Sequence, residues 1–157
     1  MAVKPIPEGY HSLTPYLAVD GAAKAIDFYT EAFGAQENMR MPGPDGKIAH
    51  AELQIGDSKL MLSDPFPQSD VQPPPARGGA TGSVFMYVED VDTTFEQAQR
   101  AGAKVVTELE DMFWGDRFGT LSDPFGHVWS VAQHTEDLTE EQIAERSKTA
   151  MAEMGSS

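Results

Sequence analysis

Two stretches of the chain repeat one hydrophobic grammar. Thr14 to Val19 (TPYLAV) is rich in strand-forming residues, and apolar positions at Ala22, Ala25, Ile26, Tyr29, Ala32 and Phe33 then trace one face of an amphipathic helix. Asp20 stands where a side chain caps a first turn, and Gly34 where a left-handed residue ends a helix. Ser83 to Val88 (SVFMYV) restarts the pattern, followed by Glu89-Asp90, a helical face of Val91, Phe95 and Ala98, and a stop at Gly102. Aligning Val19 with Val88, Asp20 with Glu89 and Gly34 with Gly102 needs a shift of about seventy residues, the mark of an internal duplication. Strand-like runs follow each helix: Glu37–Met41, Lys47–Ile55 and Lys59–Ser63, then Lys104–Glu108, Arg117–Leu121 and His127–Gln133. Each half therefore reads strand, helix, strand, strand, strand, with turn-forming residues at Pro42–Gly46, Gly56-Asp57 and Asp123–Gly126.

Asp64 to Gly82 holds three consecutive prolines and a glycine pair, which excludes a helix or a central strand and marks a linker. The expected organisation is a single domain over residues 10–135, with unit one at 12–63, the linker at 64–82 and unit two at 83–135. An acidic tail over 136–157 follows. In it Thr139 and Gln142 form a capping-box pair, and Ile143, Ser147, Met151 and Met154 make a weak stripe along a last helix.

Composition narrows the chemistry. The chain has 157 residues, 40 % of them hydrophobic and 23 % charged, enough for one sizeable core. Eleven Lys and Arg against 25 Asp and Glu leave a net charge of −14, which disfavours nucleic acid and anionic lipid surfaces as partners. No apolar run reaches membrane-spanning length, and the first twenty residues carry no signal-type run, so the expectation is a cytoplasmic protein without a membrane partner. With no cysteine there is no disulfide, thiolate nucleophile or cysteine-ligated metal. There is likewise no Gly-x-Ser-x-Gly elbow and no glycine-rich phosphate loop.

The opening TPYLAVDGAAKAIDFYTEAFGA, the middle MPGPDGKIAHAELQIGDSKLMLSD and the closing GDRFGTLSDPFGHVWSVAQHTED together resemble the vicinal oxygen chelate superfamily. That group holds glyoxalases, bleomycin-resistance proteins and extradiol dioxygenases, and the likeness is strongest to its PhnB-like, glyoxalase-like branch. The resemblance implies an α+β fold of two tandem βαβββ units, forming a U-shaped, mostly antiparallel sheet around a cavity with helices outside. It also implies a homodimer, since two chains of this family often complete the sites between them. Carried over by strand ends, the family's metal-ligand positions fall on Thr14, Met61 (or Ser63 with a two-residue shift), Ser83 and Ser130. None is a carboxylate or imidazole, and hydroxyl and thioether groups hold such cations weakly, so no metal and no other cofactor is expected.

Strand alternation places Thr14, Tyr16 and Ala18 on one face and Ser83, Phe85 and Tyr87 on its counterpart, with Val84, Met86 and Val88 under the helix. On the strand Ile48–Ile55, His50 and Glu52 share a side. They form a proton-transfer pair, two ligands of a displaced metal, or a wet surface pair. Trp114 and Arg117 suit stacking on a planar ligand and gripping its carboxylate or phosphate; the structural alternative has Asp116 neutralising Arg117 while Trp114 covers a cavity end. The remaining histidines, His11, His127 and His134, read as boundary, structural or exposed residues, and Trp129 as core. The candidate ligand-binding set is Tyr16, His50, Glu52, Phe85, Tyr87, Trp114 and Arg117, with no catalytic residue assigned. The expected function is metal-free binding of a small, partly aromatic organic molecule, with drug sequestration as its role. Two alternatives stand beside it: a divalent-metal lyase, isomerase or dioxygenase with ligands at unusual positions, and a dimeric scaffold with a vestigial cavity.

Overall fold

The computed structural model describes residues 2–155. Unit one comprises β1 (Tyr16–Ala18), α1 (Ala22–Phe33), β2 (Gln36–Pro42), β3 (Ile48–Ile55) and β4 (Ser58–Ser63). Unit two repeats it with β5 (Ser83–Tyr87), α2 (Val91–Ala101), β6 (Lys104–Asp111), β7 (Asp116–Ser122) and β8 (Val128–His134). The strands form two four-stranded sheets, β1-β4-β3-β2 and β5-β8-β7-β6, each with one parallel pair at its start and antiparallel pairs beyond. The class is α+β and the duplication is real.

Of the periodic residues of α1, Ala22, Ala25, Ile26, Tyr29 and Ala32 are buried and Phe33 is half-buried, while Phe28, outside the expected face, is buried as well. Gly34 ends the helix at φ 68°, its N–H reaching back to the Thr30 carbonyl. The start differs from expectation. Asp20 does not cap α1; Gly21 turns the chain at φ 100°, and the Gly21 and Ala22 amides donate to Asp64 at the exit of β4, 2.9 and 3.0 Å away. Asp64 also accepts from Ile48 N at 2.8 Å and is buried, so one carboxylate ties the helix to two strands. In unit two the cap is local: Asp90, one residue beyond the Glu89 that aligns with Asp20, accepts from Thr93 N at 3.1 Å.

The helix-bearing sides of the two sheets share one core. From α1, Tyr29 and Phe33 meet Trp129 of β8 at ring-centroid distances of 5.3 and 4.7 Å, and α1 packs along α2. Tyr29 Oη donates to Asp123 at 2.6 Å and Trp129 Nε1 to the same carboxylate at 2.9 Å. Burial, with the Asp123 charge behind it, pushes the Tyr29 phenol well above its ordinary pKa. At Gly119 of β7 an added Cβ would lie 2.8 Å from the Phe95 ring of α2, so the strand has no room for a larger residue there. α1 and α2 meet in this core, and the opposite face of each sheet is left open.

The stretch expected as a bare linker contains one 3-10 turn, Pro74–Arg77, with Pro73 and Pro74 buried. At the other end, α3 (Glu140–Gly155) begins with the expected reciprocal bonds, Thr139 N to Gln142 Oε1 at 2.9 Å and Gln142 N to Thr139 Oγ1 at 3.2 Å. No described residue of α3 is buried. The last two positions of the 136–157 tail lie outside the described residues. No helix among the described residues is long and apolar enough to cross a membrane.

Candidate functional site

Each sheet presents its open face through alternate residues. On the first sheet the register sets Tyr16 beside Met61, Met61 beside Glu52, and His50 beside Met41. Tyr16 Oη lies 3.1 Å from His50 Nδ1, and His50 Nε2 is 3.9 Å from Glu52 Oε2. The chain ahead of β1 crosses this face. Pro5, Ile6, Pro7 and Tyr10 wall a groove of about 510 Å³ whose floor includes Glu52 and Met61. Tyr10 Oη donates to Glu52, and this bond, with burial next, pushes its pKa up to about 12. Lys59 Nζ sits 5.5 Å from the centre of the same ring. His50 and Glu52 therefore do share a face, as the alternation requires, but Tyr16 and Tyr10 engage them.

The second sheet is different in character. Phe85 and Tyr87 of β5 stand out from the surface at 49 % and 60 % exposure, while Val84 and Met86 turn inward against the core. Across β8, Phe118 of β7 stacks on Phe85 at 5.7 Å and 14°, and Trp114, in the turn before β7, meets Phe118 edge-on at 5.9 Å. Phe85 and Tyr87 are 5.2 Å apart. These four rings make a continuous aromatic platform with offset and edge-on contacts.

Asp116 lies at its edge, 2 % exposed. Its carboxylate accepts from Tyr87 Oη at 2.8 Å, from Trp114 Nε1 at 3.0 Å and from His134 Nδ1 at 2.8 Å. Burial works to raise the Asp116 pKa, but the three donors, His134 first, outweigh it and hold the group below its ordinary value. The same bonds act on the partners: Tyr87 is raised by its bond to Asp116, and His134 is raised by Asp116 and then by Asp137. One buried carboxylate thus fixes the orientation of two platform rings and an imidazole.

Of the residues singled out from the sequence, Tyr16, His50 and Glu52 cluster on the first sheet and Phe85, Tyr87 and Trp114 on the second. No hydrogen bond, ion pair or ring contact joins the two clusters among the described residues. Arg117 needs correction. It points to the opposite side of β7 from Asp116 and Phe118, where it pairs with Asp92 of α2 at 2.9 Å and Asp111 of β6 at 3.4 Å. Its positive charge serves the helix side rather than the open face. The alternative pairing with Asp116 fails for the same reason, because adjacent strand residues face opposite ways. The reading missed Phe118, His134 and Tyr10. Phe118 was available from period-two alternation with Asp116, and His134 from alternation with Ser130 and Ala132; the Tyr10 contact had no local signal.

The metal positions of the wider family fare poorly here on donor chemistry. Met61 and Ser63 lie beside Tyr16 and Ala18 on the open face of the first sheet, and Ser130 beside Phe85 on the second. A thioether and hydroxyls do not replace the water of a divalent cation. His50 and Glu52 supply two donors, and the described residues contain no group of three or more His, Asp or Glu able to hold a metal ion. This donor set does not fit a glyoxalase-type metal centre.

Comparison with known proteins places this geometry in a family. The sequence matches the glyoxalase/bleomycin resistance protein/dioxygenase superfamily over residues 10–131. It is 46 % identical over 147 residues to an uncharacterised protein of Mycobacterium tuberculosis, covering 92 % of this chain and 84 % of that one. It is 30 % identical over 146 residues to the protein YjdN of Escherichia coli, covering 76 % and 92 %. Among solved structures, TioX from a Micromonospora species aligns with a TM-score of 0.63 at 29 % identity, over 82 % of this chain and all of that one. TnmS3, an antibiotic binding protein from a Streptomyces species, aligns at 0.61 and 26 % identity, over 86 % and 99 %. The duplicated βαβββ units, the matched residues and these relatives agree: the chain belongs to the glyoxalase/bleomycin resistance protein/dioxygenase superfamily.

Proposed function

We propose that this protein is a metal-free, cytoplasmic binder of small planar aromatic molecules, sequestering a drug-like compound on the aromatic platform of its second sheet. The observation that carries this reading is the array of the exposed Phe85 and Tyr87 with the half-buried Trp114 and Phe118, with Tyr87 and Trp114 held in place by the buried Asp116 carboxylate. Apolar rings are rarely left standing on a sheet in such number without an occupant. Stacking on a planar ligand recovers the burial they lack, at about 0.5–1.5 kcal/mol per aromatic pair beyond the area removed from water. The donor set that suits no divalent cation and the likeness to an antibiotic binding protein support the same reading.

A homodimer completes the proposal. The open face of the first sheet carries exposed Tyr16 and Met41, and a second copy of the chain is the natural cover for them, which leaves Phe85 and Tyr87 to the ligand. Light scattering at micromolar concentration is expected to give the mass of two chains; a monomer mass removes the dimer. For the ligand, a panel of planar aromatic compounds is expected to quench tryptophan fluorescence saturably, and Trp114→Ala to weaken binding about tenfold. Absence of saturable quenching by every compound overturns the binding function. Unchanged affinity in Trp114→Ala removes the platform as its site.

A further inference from the structure

The rim of the aromatic platform carries a group that stacking does not use. His134 ends β8, half exposed, with its two ring nitrogens facing two carboxylates: Nδ1 is 2.8 Å from Asp116 Oδ1 and Nε2 is 2.8 Å from Asp137 Oδ1. A neutral imidazole has only one N–H, so both bonds are donated together only by the imidazolium, the form that two facing carboxylates favour. The two carboxylates are not equivalent. Asp116 is buried and locked by Tyr87 and Trp114, whereas the Asp137 side chain is fully exposed and, among the described residues, bonds to His134 alone. The backbone just before Asp137 is pinned, with Thr135 N and Glu136 N donating to the Gly115 carbonyl at 2.8 and 3.0 Å. The Asp137 side chain therefore leaves His134 by turning about its own bonds, with no unzipping of the chain.

We propose that His134 Nε2 is an acceptor-binding subsite for the acidic substituent of a planar aromatic ligand, and that the Asp137 carboxylate occupies it as a displaceable stand-in. This rests on the platform reading above and assigns the ligand class: an aromatic ring system bearing a carboxylate, sulfonate or phenolate at its edge. The ring system lies on Phe85 and Tyr87, and the acidic oxygen takes the place of Asp137 Oδ1. His134, Phe85 and Tyr87 line one groove of about 1140 Å³, so a single ligand reaches all three.

Charge balance favours the exchange. Asp116 and the imidazolium sum to zero, so a ligand anion in place of Asp137 restores the charge pattern already present. The other charged groups near the ring do not compete for Nε2. Glu136 is tied to Arg146 at 2.8 Å, and Asp90 is spent on the Thr93 amide and hydroxyl of α2. Glu89 also lines the groove and opposes a second anionic group on the ligand. The net charge of −14 is screened beyond about 8 Å at physiological salt, so contact chemistry decides affinity once the ligand arrives.

The test uses two probes with one ring system, neutral N-phenyl-1-naphthylamine and 1-anilinonaphthalene-8-sulfonate, titrated into the full chain, Asp137→Asn and His134→Gln. The expected result is that His134→Gln weakens the sulfonate probe about tenfold while changing the neutral probe less than about twofold. Asp137→Asn is expected to tighten the sulfonate probe about three-fold or more by removing a competing charge, again with little effect on the neutral probe. Equal weakening of both probes by His134→Gln, or unchanged sulfonate affinity in Asp137→Asn, overturns the subsite and leaves the platform standing. Failure of both probes to bind the unaltered protein overturns the platform, and the subsite with it.

Discussion

The two duplicated units share a topology and a core yet differ on the faces they leave open. The first is floored with Met41, Met61, His50 and Glu52 and partly covered by its own N-terminal chain, which Tyr10 fastens to Glu52. The second is paved with Phe85, Tyr87, Trp114 and Phe118, and among the described residues no comparable strap crosses it. Inward residues are constrained by one shared core, in which small and aliphatic groups surround the rings of Tyr29, Phe95 and Trp129. Outward residues carry no such constraint, so the two halves have been free to specialise: a sheet face is a site only where its outward residues form a connected chemical surface.

A lesion in the shared core is expected to erase the contrast, and it is the largest effect. Trp129→Ala removes a ring that touches Tyr29 and Phe33 and a donor to Asp123, and is expected to cost about 3–5 kcal/mol in denaturant unfolding while disturbing both faces together. A smaller loss confined to the second sheet is expected from Asp116→Ala. It leaves Tyr87, Trp114 and His134 without their common acceptor, at about 1–3 kcal/mol, and near-ultraviolet circular dichroism should show the Trp114 environment loosened.

Binding sharpens the comparison further. Trp114→Ala is expected to weaken an aromatic ligand about tenfold, whereas Tyr16→Ala on the first sheet should change affinity less than about threefold in the same titration. A reversed order would place the ligand on the first sheet. Tyr10→Phe, which releases the strap, is expected to cost about 0.5–1.5 kcal/mol, toward the lower end because the hydroxyl stays close to water.

The smallest effect is in pH. The folded pKa of His134 is raised, so the stability contributed by its clasp is fully present below the unfolded value near 6.5 and is lost as pH rises through the folded one. Trp114 emission should follow that transition, since its indole shares Asp116 with the imidazole. The Tyr10 strap is also raised, to about 12, and keeps its contribution up to about pH 10, losing it only as pH climbs through the folded value. A titration between pH 6 and 9 should therefore loosen the His134 clasp and leave the Tyr10 strap closed.

Much of the fold was legible in the residues because it rests on local rules. Period-two alternation separated Phe85 and Tyr87 from the helix-facing Val84 and Met86, and the 3.6-residue period of α1 picked out most of its buried face. Gly34 and the Thr139–Gln142 pair were readable because a helix end is satisfied by near neighbours. Asp20 misled for the same reason. It is the nearest capping side chain, but Gly21 turns the chain away and a carboxylate more than forty residues distant does the work. Arg117 misled because its neighbour in sequence, Asp116, faces the other way, while its partner Asp92 comes from a helix.

The amino-acid sequence by itself determined the duplicated βαβββ plan and the separation of helix-facing from open-face residues along the strands. Only the tertiary structure decided that the helix faces of the two sheets meet, that Phe118 joins the platform, that one buried carboxylate gathers Tyr87, Trp114 and His134, and that Tyr10 closes on Glu52. The physical reason is range. Periodicity and capping act over a few residues and leave a trace in the local order of the chain. Strand register, helix-on-helix packing and the partner of a buried charge depend on segments distant in sequence, whose meeting no local pattern records.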